Sequence, residues 1–422
     1  MMNLQVQVRH TAAEEALLSA YSERAASLPG DERTAEKREQ AVEILKKGLP
    51  NRRVEAWHYT DLRRLLSTVP AFEAATHLEQ REPLLPGSVV LPVLNGIAKP
   101  MQELSDVSVA TVTNELTDGS LAARLALAGT DDAIGAINAA FVTDGFALDI
   151  PADAALGHPI ELQNVQAGGQ VHTRFAVRAG ERAKATIVER QLGDGAALVS
   201  SVSHLDVGDG AEVVYLIIQE QPDDARHLGQ IYVKIGKDAK LTLFVMNTGG
   251  KLVRQELRII AEGEGSEFRL RGVNLLAGDT HCDVTMILDH AAPHTVSTET
   301  IRNVVTGKAE GAFQGQIRVA RDAQKTDAKM ACNTLLLSDE GGFSSKPELE
   351  IFADDVACGH GATVTEIEPA HLFYLMARGI DEKTARGLLV KAFVAEVIEE
   401  LEDEQVVEVL EGKLDAWFAA HG

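Results

Sequence analysis

The residues best suited to chemistry are Cys358 and His360, separated by Gly359. Side chains two apart on a β-strand project from the same face, so a thiolate and an imidazole at this spacing stand side by side, a soft and a borderline metal ligand. Two ligands do not complete a site: a stable zinc centre uses three or four, and no Cys-x-x-Cys accompanies them. The competing reading is a buried cysteine beside a histidine hydrogen-bonded at a turn. Asp354-Asp355, just upstream, is adjacent rather than alternate, so on a strand its carboxylates point to opposite faces and read as surface. Nucleotide chemistry has no foothold, because Gly249-Gly250-Lys251 and Thr306-Gly307-Lys308 lack the earlier glycine and following Ser/Thr of a phosphate loop. If ATP drives the protein, another subunit hydrolyses it.

The pair closes a long run, from about Phe146 to Val364, of short β-type segments with a recurring turn. Gly180-Glu181-Arg182-Ala183, Gly208-Asp209-Gly210-Ala211, Gly236-Lys237-Asp238-Ala239 and Gly263-Glu264-Gly265-Ser266 each precede an alternating strand, and their first glycines lie 28, 28 and 27 positions apart. A fixed spacing of this size marks units that cannot bury an apolar face alone and must stack on their neighbours. The fold read from it is mainly β, a β-solenoid, with an ordinary sandwich of short strands and glycine turns left open. In each turn, glycine is expected to supply the positive φ of a sharp corner, and the small residue three places on to make room for the next coil. Gly278 and Gly307 fit the period only approximately. Cys332 precedes Cys358 by nearly one repeat, which would stack the two on adjacent coils. His281-Cys282, His290 and His294 read as loop and core residues.

The flanks are helical. Thr11 to Ser27 and Thr34 to Lys47 carry helical spacing, and the aromatic patch Leu49 to Leu62 follows, in which Trp57 and Tyr59 are expected to anchor the hairpin by packing. Glu73 to Ile97 reads as a connector with short strands; Leu121 to Leu127 and Asp131 to Phe141 read as helices. Past the repeat, Pro369 opens a helix carrying Leu372, Phe373, Leu375 and Met376, Asp381 caps another to about Leu401, and Val406 to Phe418 makes a third. The expected division is residues 1–145 helical with a connector, 146–365 the β core, and 366–422 helical. Apolar stripes on the last helices either cap the solenoid or dock a partner.

The 422 residues carry a formal charge of −23 and three cysteines. That charge, with no basic stripe, argues against nucleic acid; scattered cysteines fit a reducing compartment, and the absence of a leader or a long apolar segment points to the cytoplasm and away from membranes. Carbohydrate-active parallel β-helix enzymes are the rival class, although they want paired carboxylates and aromatic platforms on one sheet.

Leu49 to Leu62, Asn138-Ala139-Ala140-Phe141-Val142-Thr143-Asp144-Gly145, Lys325-Thr326-Asp327-Ala328, Leu335 to Ser338 through Lys346 to Ile351, and Leu372 to Ile380 together resemble the SufB/SufD family of iron–sulfur cluster assembly proteins. The resemblance spans essentially the whole chain, and the segment Asp355-Val356-Ala357-Cys358-Gly359-His360-Gly361-Ala362-Thr363 is similar to the SufD branch rather than the SufB branch. It implies a right-handed parallel β-helix between helical domains, in a subunit that is not itself an enzyme. It implies a heterodimer with a SufB-type paralogue through the β-helices, a SufC-type ABC ATPase on the C-terminal helices, and a homodimer as a possibility for the isolated chain. Iron or a nascent cluster would lie transiently at the paired interface, with none stably held by this chain alone. By position, the resemblance gives Cys358 and His360 the metal role, and Pro369, Leu372, Phe373, Tyr374, Arg378, Gly379 and Ile380 the docking role. Three cysteines cannot supply a four-thiolate cluster from within one chain.

Overall fold

The computed structural model describes residues 9–73, 78–100 and 104–421. Among them, two parallel sheets of ten and nine strands are threaded alternately by the chain, each coil giving one strand to each sheet. The first sheet runs from Val89–Leu94 to Ala357–Thr365, the second from Asp144–Ile150 to Gly342–Ile351, with an antiparallel strand closing each at the N-terminal end. The architecture is therefore the expected β-solenoid, and the sandwich is excluded by the parallel pairing. Alternate residues point into one continuous apolar core that includes Ile187, Tyr215, Leu243, Leu270, Ile301 and Cys332.

The register explains both the regular and the loose stretches of the repeat. Lys184, Glu212, Lys240 and Glu267 lie in one column at steps of 28, 28 and 27, and the column continues through Val296, Asp327 and Ala357 at steps of 29, 31 and 30. Later coils are longer, so a fixed period fades. The glycines also serve two different corners: Gly180, Gly208, Gly236 and Gly263 lead from the second sheet to the first, whereas Gly278 and Gly307 lead back.

The turn works differently from its sequence-based reading. Positive φ falls two residues after the repeating glycine, on Arg182, Gly210, Asp238 and Gly265. The repeating glycine itself makes the room: a Cβ on Gly208 would lie 2.8 Å from the Ala179 carbonyl oxygen of the previous coil, and one on Gly263 would strike the Lys237 backbone. The small residue three places on, such as Ala211 or Ala239, is a core residue.

One column inside the solenoid is polar. Asn164, Gln191, Gln219, Asn247, Asn274 and Asn303 stack in register. Amide N–H groups donate along it, Asn247 to Asn274 and Asn274 to Asn303 at 2.7 Å each, and Asn303 ends the chain on Thr334 Oγ1 at 3.0 Å. Such a ladder satisfies amides that would each be costly to bury alone, and it fixes the register of successive coils.

Helices cover the outer faces. α1 (Ala12–Arg24) begins with a capping box between Thr11 and Glu14, and α2 (Glu32–Leu45) is capped by Asp31. After the short α3 (Leu62–Leu65) and α4 (Val112–Thr117), α5 (Ala133–Phe141) is capped by Asp132 and buried throughout. With α1 and α2 it packs on Leu198, Val202, Leu228 and Leu252 of the second sheet. Leu121 to Leu127, expected as a helix, forms only a 3-10 turn at Ala122–Leu125. At the other end come α6 (Pro369–Met376), α7 (Glu382–Glu399) and α8 (Glu404–His421). α7 and α8 lie along the first sheet, burying Val394, Ile398, Leu410 and Trp417 against Leu216, Phe244, Val273 and Val304. They flank the solenoid and do not cap its end.

Candidate functional site

The last coil is where the sequence-predicted metal residues lie. Strands Gly342–Ile351 and Ala357–Thr365 terminate the two sheets, and among the described residues no strand pairs with their outer edges. Two rows of backbone N–H and C=O groups are thus left open side by side. Cys358 stacks over Ala328 and His360 over Met330, both core residues, so the pair occupies the inward phase of a coil that no strand among the described residues covers. It overlies the mouth of the solenoid. Cys358 is half-buried and His360 exposed for this reason.

Burial pushes the Cys358 thiol above its ordinary value, against a backbone hydrogen bond from Ala328, and nearby Asp327 and Glu299 push it further. A cation would have to displace the thiol proton to use the sulfur. Cys332 does not join Cys358: it pairs with Ala362, four residues further on, and its sulfur accepts a hydrogen bond from Asn303 Nδ2 at 3.4 Å deep in the core. The adjacent-coil stacking of the two cysteines is corrected by this register. Cys282 is likewise in the core. Among the described residues no group of three or more His, Cys, Asp or Glu side chains could hold a metal ion, so Cys358 and His360 offer part of a coordination shell. Asp354 and Asp355 are exposed, Asp355 pairing with Lys325.

Around the mouth lie exposed apolar side chains, Ile351, Val364 and Phe352, the last 63% exposed. The docking residues assigned from sequence form a second exposed surface. Pro369 occupies the first turn of α6, where its missing N–H costs nothing. No residue of α6 is buried; Phe373 is 72% exposed, and Arg378 stacks its guanidinium 3.5 Å from the centre of the Tyr374 ring. Leu372 and Ile380 are half-buried, and Gly379 ends the segment at φ 85°.

Within the aromatic patch Trp57 packs as expected, whereas Tyr59 is only half-buried, edge-on to His58. Trp57 is buried, donates Nε1–H to the Asp131 carbonyl at 3.1 Å, and lies under the Arg254 guanidinium. Thr60 donates to Asp283, and Lys346 of the last coil pairs with Glu55, so this segment straps the end coils to the N-terminal helices. Sequence reasoning missed Glu299, a carboxyl inside the solenoid with both oxygens unpartnered. Its signal was its phase: it alternates with Ser297 and Ile301, which also face inward.

A parallel solenoid flanked by helices and left open at one end is a repeat-built platform. A family model described as the SufBD core domain of the SUF system for FeS cluster assembly matches residues 162–393, more than half of the chain. The chain belongs to the SufBD family of iron–sulfur cluster assembly proteins. An iron-sulfur cluster assembly SufBD family protein of Synechocystis is 29% identical, with 86% of this chain and 87% of that relative covered. The iron-sulfur cluster assembly protein SufD of Escherichia coli is 28% identical over 89% of this chain and 90% of its own length. The likeness is of the SufD type.

Proposed function

We propose that this chain is a non-catalytic subunit of an iron–sulfur cluster assembly scaffold. It pairs through the open end of its solenoid with a SufB-type paralogue, and it binds a SufC-type ATPase through α6 and the start of α7. Iron or a nascent cluster is the cargo of the paired end. Cys358 and His360 contribute half of its ligands and the paralogue the rest, so the isolated chain holds none stably.

The observation that carries this reading is the uncovered last coil with Cys358 and His360 at its mouth. Soluble proteins blunt free sheet edges with charge, proline or a covering element. The strand Ala357–Thr365 carries no Lys, Arg, Asp, Glu or Pro. An edge without those devices is suited to pairing with another strand, which supports a heterodimer with the paralogue and, for the chain alone, a homodimer. The exposed Phe373, Tyr374 and Met376 support the ATPase surface, since aromatic and Met side chains are the usual anchors of protein interfaces.

The test is the complex made with both partners. His360→Ala should leave the complex assembled yet lower its iron and acid-labile sulfide several-fold; an undiminished yield would refute the ligand role. Phe373→Asp should abolish ATPase capture while leaving pairing with the paralogue intact.

A further inference from the structure

Glu299 is 1% exposed, and neither carboxyl oxygen has a hydrogen-bond partner. An ionised carboxylate in such a place is expensive without a counter-charge, and a neutral acid is tolerated. Its position is specific: Glu299 stacks under Met330, which stacks under His360, and its neighbour Ser297 stacks under Ala328 and then Cys358. All six side chains beneath and at the mouth share the inward phase. Two strand spacings put the carboxyl about 10 Å behind the mouth, with the Met330 thioether between.

The ionisable groups around it do not neutralise it. The neighbouring strand brings Arg271, whose guanidinium is committed to the carbonyls of Leu270 and Thr298 and to Glu400, the residue that ends α7. The next strand brings Asp327 and Cys332, and the last brings Cys358 and His360. Across the core stands His290, whose ring nitrogens are held by Thr295 Oγ1 at 2.7 Å and Ser297 Oγ at 3.1 Å. Burial raises the Glu299 carboxyl to about 8 and drops His290 to about 4, so both are mostly neutral at pH 7. The core behind the mouth is uncharged but holds one proton it can give up.

We propose that Glu299 is the interior counter-charge of the open-end site, neutral while no cation is present and ionised when a divalent cation is seated at Cys358 and His360. This rests on the cation reading of that pair. The Glu299 proton leaves to solvent as the cation binds, and the carboxylate then offsets one of the cation's two positive charges. A unit charge at about 10 Å in a protein interior alters a binding constant roughly tenfold, so Glu299 acts as a positioning residue through the field and not as a ligand.

The experiment uses the complex with the SufB-type paralogue under anaerobic conditions with Co2+ as probe, followed by the thiolate-to-cobalt absorbance. Proton release at pH 7 is counted by calorimetry in buffers of different ionisation enthalpy. The wild type should release about one proton more per bound ion than Glu299→Gln, and Glu299→Asp a number restored toward the wild type. Affinity should fall roughly tenfold in Glu299→Gln. Independently of any variant at this position, the infrared carbonyl band of a buried protonated carboxyl should disappear from the wild type on adding Co2+. Equal proton counts in wild type and Glu299→Gln, with a cobalt signal that Cys358→Ala removes, would overturn the counter-charge and leave the site reading standing. A wild type with no Cys358-dependent signal would overturn both.

Discussion

Arg254 shows how much of this molecule's stability is concentrated in single buried groups. Its guanidinium bonds to Asp283, to Glu256 at 3.1 Å and to the Ala56 carbonyl at 2.7 Å, and lies over the Trp57 ring. Burial opposes its charge, but Asp283 and Glu256 outweigh that and hold its pKa above the ordinary value. Arg254→Met would leave two carboxylates buried without their partner and free the Trp57 strap. The expected loss is about 3–5 kcal/mol, read from urea unfolding, and a loss under 1 kcal/mol would contradict the account. Buried histidines set a second residue-scale expectation. Burial lowers His172 to about 3 and both His227 and His290 to about 4. An unfolded chain takes up these protons near pH 6.5, whereas the folded chain refuses them until much lower. The histidine contribution to stability is therefore constant above that value and drops as pH falls from 6.5 toward 4, by about 2 kcal/mol per histidine at pH 5. His290→Asn should flatten that decline in unfolding curves taken between pH 5 and 7; an unchanged slope would locate the acid sensitivity elsewhere.

At the scale of the coil, the two kinds of corner glycine should respond differently to a methyl group. In Gly263→Ala the new Cβ meets the backbone of the coil below, so neighbouring coils must part, at a cost of about 1–3 kcal/mol. Gly278 has φ 63° and open space around its missing Cβ, so Gly278→Ala costs only the left-handed conformation, about 1 kcal/mol. Denaturation midpoints should rank Gly263→Ala below Gly278→Ala, and the reverse order would mean that conformation, not stacking, limits these corners. This distinction is also where the sequence stopped being readable. Gly180 to Gly263 announce the solenoid because successive coils of 28, 28 and 27 residues put the same corner at nearly the same spacing. Beyond them the coils lengthen, and the left-handed corner passes to His294 and Lys325, which no glycine marks. The amide ladder escaped for a related reason: Asn247 and Asn274 face inward, where alternation leads one to expect apolar side chains. Cys358 and His360 were legible as a same-face pair. That their face is the inward one, open only because the stack ends there, needed the register with Ala328 and Met330.

The whole molecule is a stack protected on all but one side. Antiparallel strands Ile97–Ala98 and Ser108–Thr111 close its N-terminal end, α1, α2 and α5 cover one sheet, and α7 and α8 cover the other. Arg271–Glu400 and Arg302–Glu396 bracket α7 to the first sheet, and Lys413 bonds α8 to Glu220. The C-terminal helices thus have two duties that a deletion cannot separate. Removing residues 366–422 would uncover Leu216, Phe244, Met246, Val273, Leu275 and Val304 as one apolar face, far more contiguous apolar surface than a monomer tolerates. Such a truncation should aggregate and bind a hydrophobic dye, so a loss of ATPase capture in it would report misfolding as readily as a missing surface. Phe373→Asp touches only an exposed side chain on α6 and should shift the melting temperature by no more than about 1–2 °C, equivalent to under about 0.5 kcal/mol. If that variant melts like the wild type and still captures the ATPase, the docking surface belongs to the flank formed by α7 and α8 and not to α6.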